Sequence, residues 1–343
     1  MPRTRELRGG AHWSRLSDTE LLQVRFSDLG LKLRGTSLER RLNRVHDELA
    51  RRGLGFRPHM WLAEEWFSPD GVPGVAVPFY LAHPRLMRLE RRMMRQVEGG
   101  NQKWMMRILR HEVGHAIDTA YRLRRRARWR ALFGPASLRY PDSYRARPGS
   151  RRFVQHLGDW YAQAHPTEDF AETFAVWLQP RARWRREYAG WPALRKLEYV
   201  DALMTEIARK RPLVRTRREV EPITHSTLTL AEHYRRKTES YRLDDTRYDR
   251  ALRRLFKADD DGRHAAAAGY LKSVGPRISR NVAREAGLHP YVVEHTMEML
   301  IHRLGNMHLH LRHDRRRAQR DFGGLVRRVA VGILKRNREN YAL

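Results

Sequence analysis

Apolar residues recur at three- and four-residue intervals along most of the chain, and one region departs from that helical period. Leu21, Leu22, Val24 and Phe26 follow Ser17-Asp-Thr-Glu20, where a Ser three residues ahead of a Glu predicts a capping box and a helix start. Leu38, Leu42, Val45 and Leu49 predict a second helix over 36–52, closed by Gly53-Leu-Gly55. The exception follows: residues 59–63 and 74–81 read as strands, parted by the turn-forming Ser68-Pro-Asp-Gly-Val-Pro-Gly74. Pro78 cannot donate to a ladder, so the second strand is expected at a sheet edge, where an extended peptide could add on.

Helical periodicity resumes over 84–96, with a Met stripe that suits core packing, and over a central stretch 102–125. Residues 134–150 carry Pro and Gly and read as a surface loop or a lid over a cleft. The pattern then predicts helix through 153–165, and another from Pro166, with Phe170, Phe174 and Trp177 as its buried stripe. After helices ending near 210, the Arg-rich stretch 211–226 holds Pro212 and Pro222 and reads as a linker. The expected architecture is an α+β domain over 1–210, that linker, and a basic, mostly helical accessory domain over 227–343.

The central helix carries Arg110-His111-Glu112-Val113-Gly114-His115-Ala-Ile-Asp118. Residues four apart on a helix lie about 40° apart around its axis, so His111 and His115 can share one tetrahedral ion. Glu112 projects beside them, placed to hold and deprotonate a metal-bound water. A random chain of this length carries His-Glu-x-x-His in about one case in twenty, so the motif needs a partner. Asp118, two turns after His111, could orient a ligand or pair with a nearby arginine; the second suits the Arg-rich flank better.

The partner is Tyr161-Ala-Gln-Ala-His-Pro-Thr-Glu168-Asp-Phe-Ala-Glu172. Glu168 and Glu172 share one side of the helix begun at Pro166, and like charges so spaced repel by a few tenths of a kcal/mol. A metal removes that penalty if Glu168 is the third ligand and Glu172 accepts a hydrogen bond from a ligating imidazole. The bland alternative is an acidic helix N-terminus favoured by the dipole. His156 and His165 are the other candidate ligands in this region and rank behind Glu168. A third His six residues after His115 would indicate a metzincin, but Tyr121 stands there, and Asp118 replaces the Gly that pattern needs.

Helical His-Glu-x-x-His followed by a helical Glu pair resembles the gluzincin metallopeptidases, whose fold is a zincin: a small twisted sheet over an active-site helix. The runs His111 to Asp118 and Glu168 to Glu172 resemble in particular the catalytic domains of the anthrax lethal factor type. Residues 20–210 are similar to bacterial proteins described as zinc-binding metallopeptidases. The resemblance implies a zincin-like fold of that kind, one Zn2+ per chain held by His111, His115 and Glu168, and hydrolysis of a peptide bond by water that Glu112 deprotonates. It also implies an oxyanion role for the Tyr seven residues before the ligand Glu, which is Tyr161 here. Such relatives often add a cysteine zinc ribbon, and this sequence has no cysteine to build one.

Composition sharpens the choice of partners. With no Cys, thiolate zinc sites and disulfide scaffolds are excluded, and a closed structural site would lack its usual fourth ligand. No apolar run approaches the length of a membrane span and the start of the sequence lacks a signal-peptide core, so a cytoplasmic protein without membrane insertion is expected. The formal net charge is +30, nearly all from scattered arginines. Peptide or protein substrates, including acidic ones, suit that charge, and so does nucleic acid. Ala283, Gly287 and Val293 fall at helix-turn-helix spacing, although Glu294 and Glu298 would face phosphates there. The alternative reading is therefore a basic nucleic-acid-associated protein with a non-catalytic zinc site. Asp259-Asp-Asp-Gly262 is read as a charged turn, because an EF-hand in that register needs Glu where Ala268 stands.

Overall fold

The computed structural model describes residues 12–94, 97–141, 144, 147, 149–157, 160–240, 248–258, 266–286 and 290–339. The architecture is α+β, and the chain divides into two compact units, Met1–Glu239 and Ser240–Leu343. Among the described residues no helix is long and apolar enough to cross a membrane.

The first unit is assembled around the helix Gln102–Tyr121. From Met105 to Tyr121 nearly every side is buried, the condition of a helix enclosed by other elements. The capping box forms, with the Glu20 amide donating to Ser17 Oγ and the Ser17 amide to Glu20 Oε2, and starts the helix Asp18–Leu22. The helix expected over 36–52 is two helices, Ser37–Leu42 and Arg44–Arg51, which meet at Asn43. The break lets Leu38, Leu42, Val45 and Leu49 all reach one core.

Strands His59–Ala63 and Gly74–Pro78 pair in parallel, Met60 opposite Val75 and Leu62 opposite Val77. The second strand has a single strand partner and so stands at a sheet edge, as Pro78 predicts, but it ends at Pro78 and its free side is partly taken by Phe67. All five residues of the second strand are buried, the chain turns into a 3-10 helix at Phe79–Ala82, and the Ala76 amide donates to the Phe67 carbonyl at 2.8 Å. Both faces of this edge strand are apolar and covered: Val75 and Val77 enter the main core, while Ala76 packs with Trp61, Ala63 and Val72. A strand covered on both faces reads as a continuous apolar run, as this one does. Pro78 is its last residue, where the absent N–H interrupts no ladder.

Residues 211–226 lie along the first unit. The amides of Leu213 and Val214 both donate to the Ala120 carbonyl, at 2.8 and 3.0 Å, and the indole of Trp61 donates to the Val220 carbonyl. The boundary expected at 227 also falls later. The Phe26 amide bonds the Leu228 carbonyl and the Leu230 amide the Val24 carbonyl, tying the start of the helix Leu230–Ser240 to the N-terminal segment.

The second unit packs the helices Asp249–Leu255, Ala267–Ala286, Pro290–Asn306 and Arg315–Glu339 over Leu252, Leu271, Ile278, Leu300, Phe322 and Val326. A short antiparallel pair, Phe256–Ala258 with Leu309–Leu311, closes it, and Arg303 grips Asp249 through two hydrogen bonds. The charged turn expected at 259–262 and Gly287, the centre of the expected helix-turn-helix spacing, lie outside the described residues. Glu294 and Glu298 are exposed on Pro290–Asn306.

Candidate metal centre

Two helices build the site. Asn101 caps the first by accepting from the Trp104 amide, and Arg122, in the left-handed conformation, ends it. The second, Pro166–Leu178, starts with Pro in its first turn and is capped by the His165 ring, whose Nδ1 accepts from the Thr167 amide at 3.2 Å. They cross at Gly114 and Ala171. A Cβ on Gly114 would stand 2.8 Å from Ala171 Cα and 3.1 Å from its carbonyl oxygen, so the absence of a side chain sets how near the carboxylates come to the histidines.

The crossing brings His111, His115 and Glu168 together as the sequence predicts. Glu168 Oε2 lies 2.9 Å from His111 Nε2 and 3.2 Å from His115 Nε2, and the two imidazole nitrogens are 3.1 Å apart. Glu172 is fully buried behind them. His111 Nδ1–H donates to Glu172 Oε1 at 2.9 Å, which leaves Nε2 as the lone-pair atom turned to the centre. The Leu157 amide donates to Glu172 Oε2 at 2.8 Å.

The donor set fits zinc. Two nitrogens and one carboxylate oxygen converge, the three-ligand pattern of open zinc sites, and three lone-pair atoms this close repel unless a cation lies among them. The electrostatics carry the same demand. Burial opposes charging His111, yet Glu168 and Glu172 outweigh it and hold its pKa well above the usual imidazole value. Burial would raise Glu168, but the two histidines prevail and keep it below the ordinary carboxylate range.

A cleft of about 420 Å³ opens over this cluster, walled by Trp66, Phe67 and Asp70 on one side and by Ala136, Leu138 and Tyr140 on the other. Glu112 and Tyr161 line it with the three ligand candidates. Glu112 is 9% exposed, and burial raises its pKa against the pull of His111 and His115. Tyr161 tilts over the His111 ring at a centroid distance of 5.5 Å, and burial together with Glu168 and Glu112 keeps its phenol protonated well above its normal range.

Asp118 does not join the cluster. It is fully buried at the helix end, where it accepts from the Arg124 amide at 2.7 Å and from Arg124 Nε at 2.6 Å. His165 donates from Nε2 to the Leu138 carbonyl at 2.9 Å while its Nδ1 serves as the cap. His156 donates from Nε2 to the Arg107 carbonyl at 2.9 Å. Neither belongs to the convergent set. The helix expected over 153–165 is absent among its described residues, which hold only a 3-10 turn at Tyr161–Gln163. Non-helical backbone at 153–157 delivers His156 to one helix and the Leu157 amide to Glu172.

Sequence reasoning missed Tyr140. Its phenol donates to Glu168 Oε1 at 2.5 Å and meets Thr167 Oγ1, while its ring stacks on His165 at 3.9 Å. The only signal was the reading of 134–150 as a lid, which named no residue.

Burial lowers the His156 pKa to about 4. A histidine depressed in the folded state adds stability that is complete above its unfolded pKa and is lost as pH falls through the folded value. Metal-free protein should therefore lose a few kcal/mol between about pH 6.5 and 4 through this residue. Urea melts of wild type and His156→Gln across that window check it; parallel stability curves for the two proteins would refute it.

No curated protein and no solved structure matches the chain. Residues 87–190, which hold both helices of the site, match the model of the family described as "Putative zinc-binding metallo-peptidase".

Proposed function

We propose that the chain is a zinc-dependent metallopeptidase of gluzincin type, with a zincin-like arrangement of the two-stranded sheet and the helix Gln102–Tyr121. The observation that carries the reading is the convergence of His111 Nε2, His115 Nε2 and Glu168 Oε2 at the floor of a cleft that Glu112 also lines. These three residues would hold one zinc ion, and Glu172 would fix the tautomer of His111. When bound, zinc supplies Lewis acidity, which polarises a scissile carbonyl and acidifies a water.

The remaining work falls to side chains of this chain. Glu112 takes a proton from the attacking water and returns it to the leaving amine, and a carboxylate with a raised pKa is suited to both transfers. Tyr161, held protonated, donates a hydrogen bond to the oxyanion as it forms. The substrate class is peptide or protein, as the family's description indicates.

Metal analysis of purified protein is expected to return one zinc per chain. Cleavage of a mixed peptide library should stop on treatment with a chelator and resume when zinc is restored. Full zinc occupancy with no peptide cut would remove the peptidase reading and leave the metal site standing.

A further inference from the structure

Glu168 presents its two oxygens to different neighbours. Oε2 faces the two imidazoles, while Oε1 accepts the Tyr140 phenol at 2.5 Å. We propose that Tyr140 is a positioning residue for Glu168, holding one oxygen so that the other alone is offered to the metal. The inference rests on the reading of His111, His115 and Glu168 as a metal site.

The phenol is itself held in place. Its ring lies flat on His165, 19° from parallel, and the His165 ring is pinned at both nitrogens, by Thr167 through Nδ1 and by the Leu138 carbonyl through Nε2. Thr167 Oγ1 also meets the phenol. Leu138, His165, Thr167, Tyr140 and Glu168 thus form a closed ring of contacts at the start of the helix that carries the ligand. An ionised carboxylate accepts hydrogen bonds only, so the single phenolic proton is directed to Oε1.

Two consequences follow from this geometry. A carboxylate bonded at one oxygen resists rotating, so Glu168 would offer a bound ion one oxygen. The position of Glu168 also becomes coupled to the cleft wall. Tyr140 is 51% exposed and follows Ala136, Ser137 and Leu138, which line the same cleft. A ligand seated against that wall would act on the metal through the phenol.

Tyr140→Phe keeps the stack on His165 and removes only the hydroxyl. Zinc affinity of metal-free protein, measured by competition with a chromophoric chelator, should fall about 10- to 100-fold in this variant, the loss typical of removing a hydrogen-bond partner of a ligand. The melting temperature without metal should stay unchanged, and the visible absorption of the cobalt-substituted protein should shift, because the coordination changes. Wild type that binds zinc tightly with Tyr140→Phe binding equally well would overturn the role of Tyr140 alone. Wild type that fails to bind one zinc would instead overturn the site on which the inference rests. A fall in melting temperature with unchanged zinc affinity would assign Tyr140 to the stability of the loop and reject the proposal.

Discussion

Glu112→Gln is expected to keep one zinc per chain and to lower peptide cleavage by about 10²- to 10⁴-fold, the usual contribution of a positioned general base. The two properties separate because Glu112 lies outside the ligand set. His111 and His115 flank it on the same helix and converge with Glu168, while Glu112 lines the cleft without joining them. The amide fills the space of the carboxylate and leaves the packing of that helix intact, but it cannot take up a proton near neutral pH. Zinc occupancy and steady-state rates on the same preparations check both statements. Undiminished cleavage by the Gln variant would remove Glu112 from the chemistry.

The parts of the site that were legible in the sequence are those set by spacing within one helix. His111, Glu112 and His115 fall together because four residues make about one turn, and Glu168 and Glu172 for the same reason. The sequence also suggested the pairing of Asp118 with an arginine, here Arg124. What it did not reveal depends on contacts between segments far apart in the chain. Tyr140 sits in a stretch without periodicity and meets Glu168 only through the fold. The non-helical backbone at 153–157 carries apolar residues at helical intervals, yet tertiary bonds from His156 to Arg107 and from Leu157 to Glu172 outweigh that local preference. Pro78 rightly places the strand Gly74–Pro78 at a sheet edge, but the covering of that edge by Phe67, distant from it in the pattern, is not legible in the sequence. Residues 211–226 read as a linker from their Pro and Arg content, whereas two amides anchor them to Ala120.

Gly114 lies within the motif itself, at a position its pattern leaves open, and replacing it with Ala should be among the most damaging changes in the first unit. On a free helix that substitution stabilises by about 1 kcal/mol, because Ala is the better helix former. Here the new methyl would stand 2.8 Å from the Ala171 Cα, and the obstacle is backbone of a fully buried helix, with no flexible side chain to swing away. The two helices must move apart or the packing must strain, and overpacking of this kind costs about 3 kcal/mol. Movement is the more consequential response. The Glu168 and Glu172 carboxylates ride on the displaced helix, three residues before and one after Ala171, and their contacts with His111 are 2.9 Å each. Gly114→Ala should therefore lower stability and weaken zinc binding together, whereas His156→Gln should leave zinc affinity at neutral pH close to that of wild type. Denaturant melts and chelator competition on the same two variants test the contrast. A Gly114→Ala protein as stable as wild type and equally tight for zinc would show that the helices do not meet at this residue.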